Sequence, residues 1–453
     1  MQLKNKKVMV FGAAKSGISA AGMLQQLGAF VILYDCNTNL TKGDFGDKFD
    51  TEDMFQLVTG ALSDEILDTI DLLIISPGVA CDHPDINRIK DKNIPIWGEI
   101  ELAYRYTKGK IIGITGTNGK TTTTTLVGKI MKTYFPEVYV VGNIGNSYTD
   151  IALATTEDAV VVIELSSFQL ETIQEFKPDV STILNITPDH LDRHHTMEAY
   201  IAAKERIAMN QTLSELCILN YEDETLRNMA ERLKTKVMFF SSRRVLEEGL
   251  YLEDEDIYYT YQNSTQLICN VGELHVLGKH NYENVMAAVG IAIRMGIPME
   301  YIRKALLNFK AVEHRIEYVE TIKGVTYYND SKGTNPDASM KAIQAMKNPM
   351  ILIAGGYDKK GSFDTWVEAF EDKVKCLVLL GQTKKQISKT ARKHGFTNII
   401  MVENLQEAVK ISAEMAVPGD VVLLSPACAS WGMFKDFEQR GNLFKQYVRE
   451  MLS

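Results

Sequence analysis

Residues 115–122 read TGTNGKTT and stand between an apolar run and a stretch with helical spacing. Glycines at this point let backbone N–H groups turn towards an anion, and the N-terminus of the following helix adds the positive end of its dipole. Lys120 is placed to reach terminal phosphates, and the Thr121 hydroxyl is placed to ligate magnesium. The spacing departs from G-x-x-x-x-G-K-S/T, because five residues separate Gly113 from Gly119. The strand–loop–helix order still predicts a nucleoside triphosphate site rather than a plain glycine-rich turn.

Two further polar segments follow apolar runs in the same region. Glu164 ends one such run, and an acid at a strand end beside a phosphate loop is well placed to hold Mg²⁺ or its water. Residues 187–195 read TPDHLDRHH, and their three histidines invite comparison with a zinc site. A polar loop accounts for His194 and His195 equally well. His190, which lies nearest the strand end, is the candidate ligand.

Residues 7–35 carry the pattern of a strand, a small-residue turn, a helix and a second strand. Gly12 and Gly17 frame the turn, but Ala14 stands where the dinucleotide fingerprint G-x-G-x-x-G has its middle glycine. Asp35 ends the second strand, where a ribose-binding acid is expected. A nicotinamide cofactor and a different nucleotide both remain open for this turn.

The C-terminal third of the chain holds three polar clusters, at residues 314–315 (HR), 329–336 (NDSKGTNP) and 425–431 (SPACASW). Each follows or joins an apolar strand and offers hydroxyl, amide and charged groups of the kind that converge at strand ends. Arg315 is a candidate phosphate clamp. As isolated patterns, all three are also typical of ordinary loops.

Apolar strands alternate with helices along the whole chain, which predicts an α/β protein with parallel, doubly wound sheets. A short strand at Trp97 closes the first unit, and the pattern begins again near Val312. We predict three domains, at residues 1–98, 99–311 and 312–453. The first and third have Rossmann-like patterns, and the central one carries the phosphate loop.

The composition excludes several classes of protein. The chain has 453 residues and a formal net charge of −9, so no excess of cations exists to coat nucleic acid or a membrane surface. Six scattered cysteines without a C-x-x-C pair argue against a disulfide scaffold or structural zinc and favour a reducing cytoplasm. The N-terminal apolar run is too short for a signal or membrane segment. We expect a cytoplasmic protein with no nucleic-acid partner and no membrane insertion.

Taken together, these stretches resemble the Mur ligase family, the ATP-dependent amino-acid ligases of peptidoglycan synthesis, over essentially the whole chain. TGTNGKT is shared with other Mur ligases and with folylpolyglutamate synthases. SPACAS followed by F-x-x-F-x-x-R-G, with Ser76-Pro77-Gly78 upstream, points to the branch that adds D-glutamate. The segments that carry the resemblance are residues 115–122, 142–145 (GNIG), 164–170 (ELSSFQL), 189–193 (DHLDR), 280–284 (HNYEN), 314–315, 329–335 and 424–441 (LSPACASWGMFKDFEQRG).

The resemblance implies a ligase that joins D-glutamate to UDP-N-acetylmuramoyl-L-alanine. The reaction would pass through an acyl phosphate and a tetrahedral intermediate and release ADP and phosphate. An N-terminal domain would bind the UDP-substrate, a central P-loop-type ATPase domain would bind ATP and Mg²⁺ at two sites, and a C-terminal domain would bind the amino acid. The implied enzyme is a cytoplasmic monomer that makes a peptidoglycan precursor and so serves cell wall biogenesis, cell shape and cell division.

The resemblance also assigns roles to residues. The implied catalytic residues are Lys120, His190, Lys204 and Arg315. The implied ATP-binding residues are Gly116, Thr117, Asn118, Gly119, Lys120, Thr121, Thr122, Asn281, Asn284, Arg315 and Asp330. The implied UDP-substrate-binding residues are Gly12, Ser16, Gly17, Asp35, Ser76, Gly78, Gly142 and Asn143. The implied D-glutamate-binding residues are Lys332, Thr334, Lys359 (with Lys360 as its alternative), Ser430 and Phe437. Thr121 and Glu164 would serve one Mg²⁺, and His190 and a carbamylated Lys204 would serve the second.

Three other activities are distinguishable from this one. Another amide ligase of the same superfamily would add L-alanine, a diamino acid or glutamates to folate, and residues 425–441 argue against it. A regulatory module would hydrolyse ATP without regard to D-glutamate. A dehydrogenase would bind a nicotinamide cofactor at the Gly12–Gly17 turn, which the missing middle glycine disfavours.

Overall fold

The computed structural model describes residues 2–49, 54–310, 312–358 and 361–452, with the backbone alone described at residues 46–48. It divides into two compact units: Met1–Cys269 with Glu283–Leu306, and Asn270–Tyr282 with Leu307–Ser453. The described residues form three mixed α/β layers, each built on one sheet. The expected α/β fold class with three domains is confirmed. Within the described residues, no helix is both long and apolar enough to cross a membrane.

The first sheet is parallel throughout. Its strands are β1 (Lys7–Phe11), β2 (Phe30–Asp35), β3 (Phe55–Thr59), β4 (Leu72–Ile75) and β5 (Ile96–Gly98), and the accompanying helices are α1 (Lys15–Gln26), α2 (Asp64–Leu67), α3 (Pro84–Asp91) and α4 (Glu99–Tyr104). The spatial order is β3-β2-β1-β4-β5. The strands are short apolar runs because both faces of a parallel sheet are covered. Strand order reverses between β1 and β4, and ligands of doubly wound sheets bind where such a reversal occurs.

The second sheet has nine strands in the order 14-13-12-11-10-9-6-8-7 by position in the chain. They are β6 (Lys110–Thr115), β7 (Glu137–Gly142), β8 (Ala159–Glu164), β9 (Val180–Ile183), β10 (Leu216–Asn220), β11 (Lys236–Ser241), β12 (Gly249–Glu253), β13 (Asp256–Tyr261) and β14 (Ser264–Asn270). The pairs from β7 to β12 are parallel, and β12 pairs with β13 antiparallel. The short β segments predicted near residues 240–278 therefore extend one edge of this sheet, and the direction changes to antiparallel between β12 and β13.

The helices that accompany the second sheet alternate with its strands along much of the chain. They are α5 (Lys120–Lys132), α6 (Ser167–Leu170), α7 (Leu191–His194), α8 (Met197–Glu205), α9 (Glu224–Ala230), α10 (Lys279–Arg294) and α11 (Met299–Leu307). β6 lies between β8 and β9, and all three run parallel. The segments that leave their carboxyl ends therefore emerge side by side.

The third sheet lies in the second unit. It comprises β15 (Glu317–Ile322), β16 (Val325–Asn329), β17 (Met350–Ala354), β18 (Val374–Leu379), β19 (Ile399–Met401) and β20 (Val421–Leu424), with helices α12 (Pro336–Ala345), α13 (Asp364–Glu368), α14 (Lys384–Lys393), α15 (Leu405–Met415) and α16 (Phe437–Glu450). The order is β15-β16-β20-β17-β18-β19, and among the described strand pairs of this sheet only β15–β16 is antiparallel. The predicted domain boundaries at residues 98/99 and 311/312 fall between sheets, and residue 311 itself lies outside the described residues.

Candidate active site

The phosphate loop joins β6 to α5 and is shaped by Gly119. Gly119 caps α5 with a φ of +86°, a left-handed conformation that glycine adopts without steric cost. A β-carbon at Gly119 would overlap the side-chain amide of Asn284 on α10. The loop and α10 thus lie in contact, and two of the residues predicted to bind ATP come together here.

The two lysines predicted to be catalytic converge on this loop. Lys120 donates from Nζ to the carbonyl oxygens of Gly116 and Thr117, each at 2.9 Å. Lys204, on α8, donates from Nζ to the same Gly116 oxygen at 2.9 Å. Only 1% of Lys204 is exposed. Burial, and secondarily the charge of Lys120, holds the pKa of Lys204 well below its usual range.

Residues that follow β9 hold the loop in place. Asn185 accepts the backbone N–H of Asn118 at 2.8 Å and donates from its amide to the Asn118 carbonyl at 3.0 Å. The Thr117 hydroxyl lies 3.0 Å from the Tyr200 hydroxyl and donates to the Thr187 carbonyl at 3.1 Å. These contacts hold the loop in its observed conformation.

Glu164 ends β8 directly beside the loop, because its register partner in β6 is Ile114, one residue before the end of that strand. The carboxylate is 2% exposed. One oxygen, Oε1, accepts a hydrogen bond from Nδ2 of Asn143 at 2.9 Å, and the other, Oε2, is buried without a hydrogen-bond partner. An unpartnered carboxylate oxygen in the interior is costly, and a hard cation would satisfy it. With the buried Thr121 in the first turn of α5, the residues present fit Mg²⁺.

His190 stands at the start of α7 with a left-handed φ of +54°. Its ring meets the Phe168 ring edge-on, with centroids 4.9 Å apart, and half of its side chain is exposed. Burial lowers the pKa of His190, and the charges of Lys120 and Lys204 lower it further. A neutral imidazole facing solvent next to two lysines suits a metal ligand.

His194 and His195 differ from His190 in their contacts. His194 is buried, lies 2.9 Å from the Ser167 hydroxyl through Nε2, and lies 3.3 Å from Glu171 through Nδ1. His195 is largely exposed and lies 3.7 Å from Asp82. Within the described part of the chain, no group of three metal-ligating side chains includes any of these histidines. The zinc interpretation of residues 187–195 therefore finds no support.

The turn after β1 closes against the loop after β4. Gly12 has a φ of +103°, and its carbonyl accepts a hydrogen bond from the Ser76 hydroxyl at 3.1 Å. A β-carbon at Gly17 would overlap that same carbonyl. The Asp35 carboxylate accepts the backbone N–H of Ala13 at 2.8 Å. Gly12, Gly17, Asp35 and Ser76 are thus brought together, whereas Gly78 stands in an exposed turn.

A cavity of about 270 Å³ opens where the first two sheets meet within the first unit. Three residues predicted to bind the UDP-substrate line it, Ser16, Gly142 and Asn143. Lys15 lies in its wall and donates from Nζ to the Gly145 carbonyl at 2.5 Å. Its remaining lining residues are Ala14, Pro77, Glu99, Ile144, Gly145, Ser147, Tyr148 and Gln169.

The second unit holds the other predicted ATP-site residues. Asp330 is buried, accepts the Ser425 hydroxyl at 2.7 Å, and has a pKa that burial raises to about 7. Arg315 is partly exposed, and its charge acts on Asp330 in the opposite direction to burial. Asn281 donates from its amide to the Leu277 carbonyl at 2.7 Å.

The described residues predicted to bind D-glutamate lie in loops of the same unit and at the start of α16. The Lys332 ammonium lies 4.7 Å from the centre of the Phe437 ring, and the Thr334 N–H donates to the Lys332 carbonyl at 2.9 Å. Ser430 is buried. Lys359 and its alternative Lys360 lie outside the described residues.

Several residues that build these sites escaped the sequence analysis. Arg440 is 1% exposed and donates to the Ser331 carbonyl at 2.7 Å, to the Ser331 hydroxyl at 2.9 Å and to the Cys428 carbonyl at 3.2 Å, so it joins two of the polar clusters. Asn185 was detectable as a polar residue directly after a strand. Arg440 belongs to the F-x-x-F-x-x-R-G motif, but neither it nor Tyr200 was assigned a role, because the partners of both are distant in the chain.

Comparison with protein families matches three successive segments. Residues 6–98 match the Mur ligase MurD-like N-terminal domain, residues 114–292 the Mur ligase middle domain, and residues 314–428 the Mur ligase glutamate ligase domain. Curated relatives from Lachnoclostridium phytofermentans and Lachnospira eligens are 55% and 54% identical over 451 residues, covering 100% of this chain and 99% and 100% of theirs. One from Clostridioides difficile is 47% identical over 452 residues, with 100% of both chains covered. Each of the three is named UDP-N-acetylmuramoylalanine–D-glutamate ligase.

Two solved structures from Thermotoga maritima share the fold. UDP-N-acetylmuramate-alanine ligase MurC superposes with a TM-score of 0.61 at 20% identity, covering 99% of this chain and 100% of the other. MurF ligase in complex with ADP superposes with a TM-score of 0.61 at 16% identity, covering 99% and 96%.

Proposed function

The chain belongs to the Mur ligase family, and on that premise we propose that it is an ATP-dependent UDP-N-acetylmuramoylalanine–D-glutamate ligase. It would join the amine of D-glutamate to the alanyl carboxylate of UDP-N-acetylmuramoyl-L-alanine and release ADP and phosphate. The observation that carries the proposal is 55% identity over 451 residues to a relative of that name, with both chains covered almost completely. We propose that it acts as a cytoplasmic monomer in peptidoglycan synthesis, and hence in cell shape and division.

ATP is proposed to bind at the loop between β6 and α5. Backbone N–H groups at the N-terminus of α5 would form an anion-binding turn. Lys120 now donates to two loop carbonyls and sits within reach of the position that terminal phosphates would take. Asn284, pressed against Gly119, would complete one wall. Asn281, Arg315 and Asp330 are further residues proposed to bind ATP.

Thr121 and Glu164 are proposed to hold one Mg²⁺, and His190 and a modified Lys204 a second. The support is the buried Glu164 oxygen without a partner and the neutral imidazole of His190. When bound, Mg²⁺ supplies positive charge that offsets the negative charge of the phosphates.

Lys204 is proposed to be carbamylated. A lysine with a strongly lowered pKa carries a neutral amine, which attacks CO₂ so that an N–C bond forms and one proton leaves. The product is a carbamate anion in place of an amine. The negative charge turns the side chain into a ligand for Mg²⁺ and is favourable beside Lys120.

The UDP-substrate is proposed to bind along the turn after β1 and into the cavity lined by Ser16, Gly142 and Asn143. Asn143 also donates to Glu164, so one side chain links the substrate cavity with the proposed metal position. That link favours placing the alanyl carboxylate near the transferred phosphate. D-Glutamate is proposed to meet Lys332, Thr334, Lys359, Ser430 and Phe437 in the second unit.

The chemistry assigns different tasks to these residues. A carboxylate is a poor electrophile, so transfer of the terminal phosphoryl group of ATP converts it into an acyl phosphate. The amine of D-glutamate then attacks the acyl carbon, a tetrahedral intermediate forms, and phosphate leaves. Lys120 and Arg315 would neutralise charge that develops on the phosphoryl oxygens, and the substrate-binding residues would align the reacting atoms.

The proposal is tested by phosphate release from ATP and Mg²⁺ with UDP-N-acetylmuramoyl-L-alanine, with and without each of a panel of amino acids. We expect release that requires D-glutamate and a product heavier by one glutamyl residue. A requirement for L-alanine or a diamino acid would identify another ligase. Release indifferent to the amino acid would identify an ATPase, and nicotinamide binding would favour a dehydrogenase. The Lys120→Ala variant serves as the inactive control and Lys132→Ala, exposed on the same helix, as the active one.

A further inference from the structure

Three side chains of different chemistry meet at the carboxyl end of β2, apart from the residues assigned above. Cys36 follows β2, His83 caps α3, and Asp85 lies in the first turn of α3. One ligand atom from each lies within 4.8 Å of the others. Among residues 2–49, 54–310, 312–358 and 361–452, no other group of three or more Cys, His, Asp or Glu side chains meets that condition.

The distance between the thiol and the imidazole matches a tetrahedral transition-metal site. Sγ of Cys36 lies 3.8 Å from Nε2 of His83. One imidazole binds an ion through one nitrogen, so Nε2 is the ligand atom, and the 3.7 Å contact of Nδ1 with Oδ2 of Asp85 places the carboxylate beside the same ring. Zinc bonds of about 2.3 Å to sulfur and about 2.0–2.1 Å to nitrogen place the two donor atoms about 3.6 Å apart at a tetrahedral angle. The thiol and the imidazole therefore need to move by only a few tenths of an ångström.

Neighbouring residues already orient the donors. The Tyr34 hydroxyl donates to Oδ2 of Asp85 at 2.8 Å, and Nη1 of Arg88 donates to Oδ1 at 2.8 Å. The Phe11 ring meets the His83 imidazole edge-on, with centroids 5.1 Å apart. Support of this kind holds ligands in place and raises metal affinity. Cys36 is exposed, which leaves an entry path for an ion.

We propose that Cys36, His83 and Asp85 bind a divalent cation of the Zn²⁺ class, with a fourth position open to water. A thiolate and an imidazole select such ions over Mg²⁺ and Ca²⁺, which prefer oxygen ligands throughout. Binding releases the thiol proton to solvent. The imidazole proton resides on Nδ1 in the bound form, so the 3.2 Å hydrogen bond from the Asp85 N–H is given up. The ion would tie the end of β2 to the start of α3.

The test uses the full-length protein and cobalt(II) chloride as the probe. A cobalt–thiolate bond gives a charge-transfer absorption that a metal site without cysteine, such as the proposed Mg²⁺ positions, does not produce. We expect one equivalent of Co²⁺ to develop this band and Zn²⁺ to displace it. Cys36→Ser should abolish the band, and His83→Gln should weaken cobalt binding by at least about tenfold.

Cys81→Ser is the matched control, because Cys36 and Cys81 are the two cysteines that are not buried. It should leave the titration unchanged. As a second measurement, Zn²⁺ should slow alkylation of Cys36 in the unmodified protein, read by mass spectrometry of the peptides. An unchanged band in Cys36→Ser, no band in the parent protein with excess Co²⁺, or alkylation of Cys36 indifferent to Zn²⁺ would each overturn the proposal. None of these readouts depends on ligase activity, so the site stands or fails independently of the proposed function.

Discussion

Lys120 and Lys204 donate to one acceptor: the Nζ atom of each lies 2.9 Å from the carbonyl oxygen of Gly116. Two ammonium groups on one carbonyl repel each other, and Lys204 is almost wholly buried. Burial and the nearby charge therefore lower the pKa of Lys204. Lys120 is partly exposed and can remain the cation for phosphate. The pair thus combines a partly exposed lysine with a buried amine that loses its proton more readily than an ordinary lysine.

Replacing Lys204 tests the proposed carbamylation. Lys204→Arg keeps the positive charge but cannot form a carbamate, and we expect it to lower kcat at least about 100-fold. The parent enzyme should lose activity when CO₂ is removed and regain it with bicarbonate. The measurement is phosphate release with and without bicarbonate, together with the mass of the peptide that contains residue 204. Full activity in Lys204→Arg would rule the modification out.

Replacing Glu164 should change activity and stability in opposite directions. Glu164→Gln removes a buried negative charge whose Oε2 has no partner, so without metal the variant should be more stable by about 1–2 kcal/mol. Mg²⁺ should raise the Tm of the parent protein but not of the variant, and Mg²⁺-dependent activity should fall. The control is Glu157→Gln, an exposed acid that precedes the same strand. Equal Mg²⁺ responses in parent and Glu164→Gln would contradict the assignment.

Gly119→Ala should damage the phosphate loop. A left-handed alanine costs about 1–2 kcal/mol, and the added methyl would overlap the Asn284 amide. We expect weaker ATP binding, measured by calorimetry, and a lower Tm. Gly22→Ala is the matched control, because no atom lies within 4 Å of a β-carbon there and helix interiors favour alanine by about 0.5–1 kcal/mol. A Gly119→Ala variant that binds ATP normally would remove the loop from the proposed site.

Neutralising each of the two buried acids in α4 should change the free energy of unfolding in opposite directions. Burial raises the pKa of Glu99 from 4.5 to about 7, so stability falls as pH rises through that window and is constant above it. Glu99→Gln removes this loss, and at pH 8 the variant should be more stable by roughly 1–3 kcal/mol. The readout is urea denaturation at pH 5 and pH 8.

Glu101→Gln is the comparison for that experiment. Its carboxylate accepts backbone N–H groups of Gln174, Glu175 and Phe176 and the Arg105 side chain, and it is 0% exposed. Neutralising it should cost about 2–4 kcal/mol at pH 8. Equal effects of the two substitutions would contradict the different roles of these acids.

Lys332 is expected to recognise a carboxylate of D-glutamate. Lys332→Met keeps the apolar stem against Phe437 and removes the charge, so KM for D-glutamate should rise about 10- to 100-fold. KM for ATP should change little. Lys323→Met, in an exposed turn of the same unit, should leave both constants unchanged. A parallel rise in both KM values would indicate a structural role for Lys332.

Local patterns predicted much of this molecule correctly. The phosphate loop, the Gly12–Gly17 turn and the acid at the end of β8 were all identified as strand-end features, because such features depend on a few adjacent residues. Lys204 was different. Only the family resemblance assigned it a role, and the structure buries it against Gly116, 88 residues away in the chain.

The sequence by itself determined the three α/β layers, the phosphate loop and the family. These follow from periodicity and short motifs, in which the interacting residues are neighbours in the chain. Only the tertiary structure decided the burial of Lys204, the unpartnered oxygen of Glu164 and the meeting of Cys36 with His83 and Asp85. The pKa of an amine and the donor set of a metal site depend on groups that packing brings together from distant segments, and no local pattern records that packing.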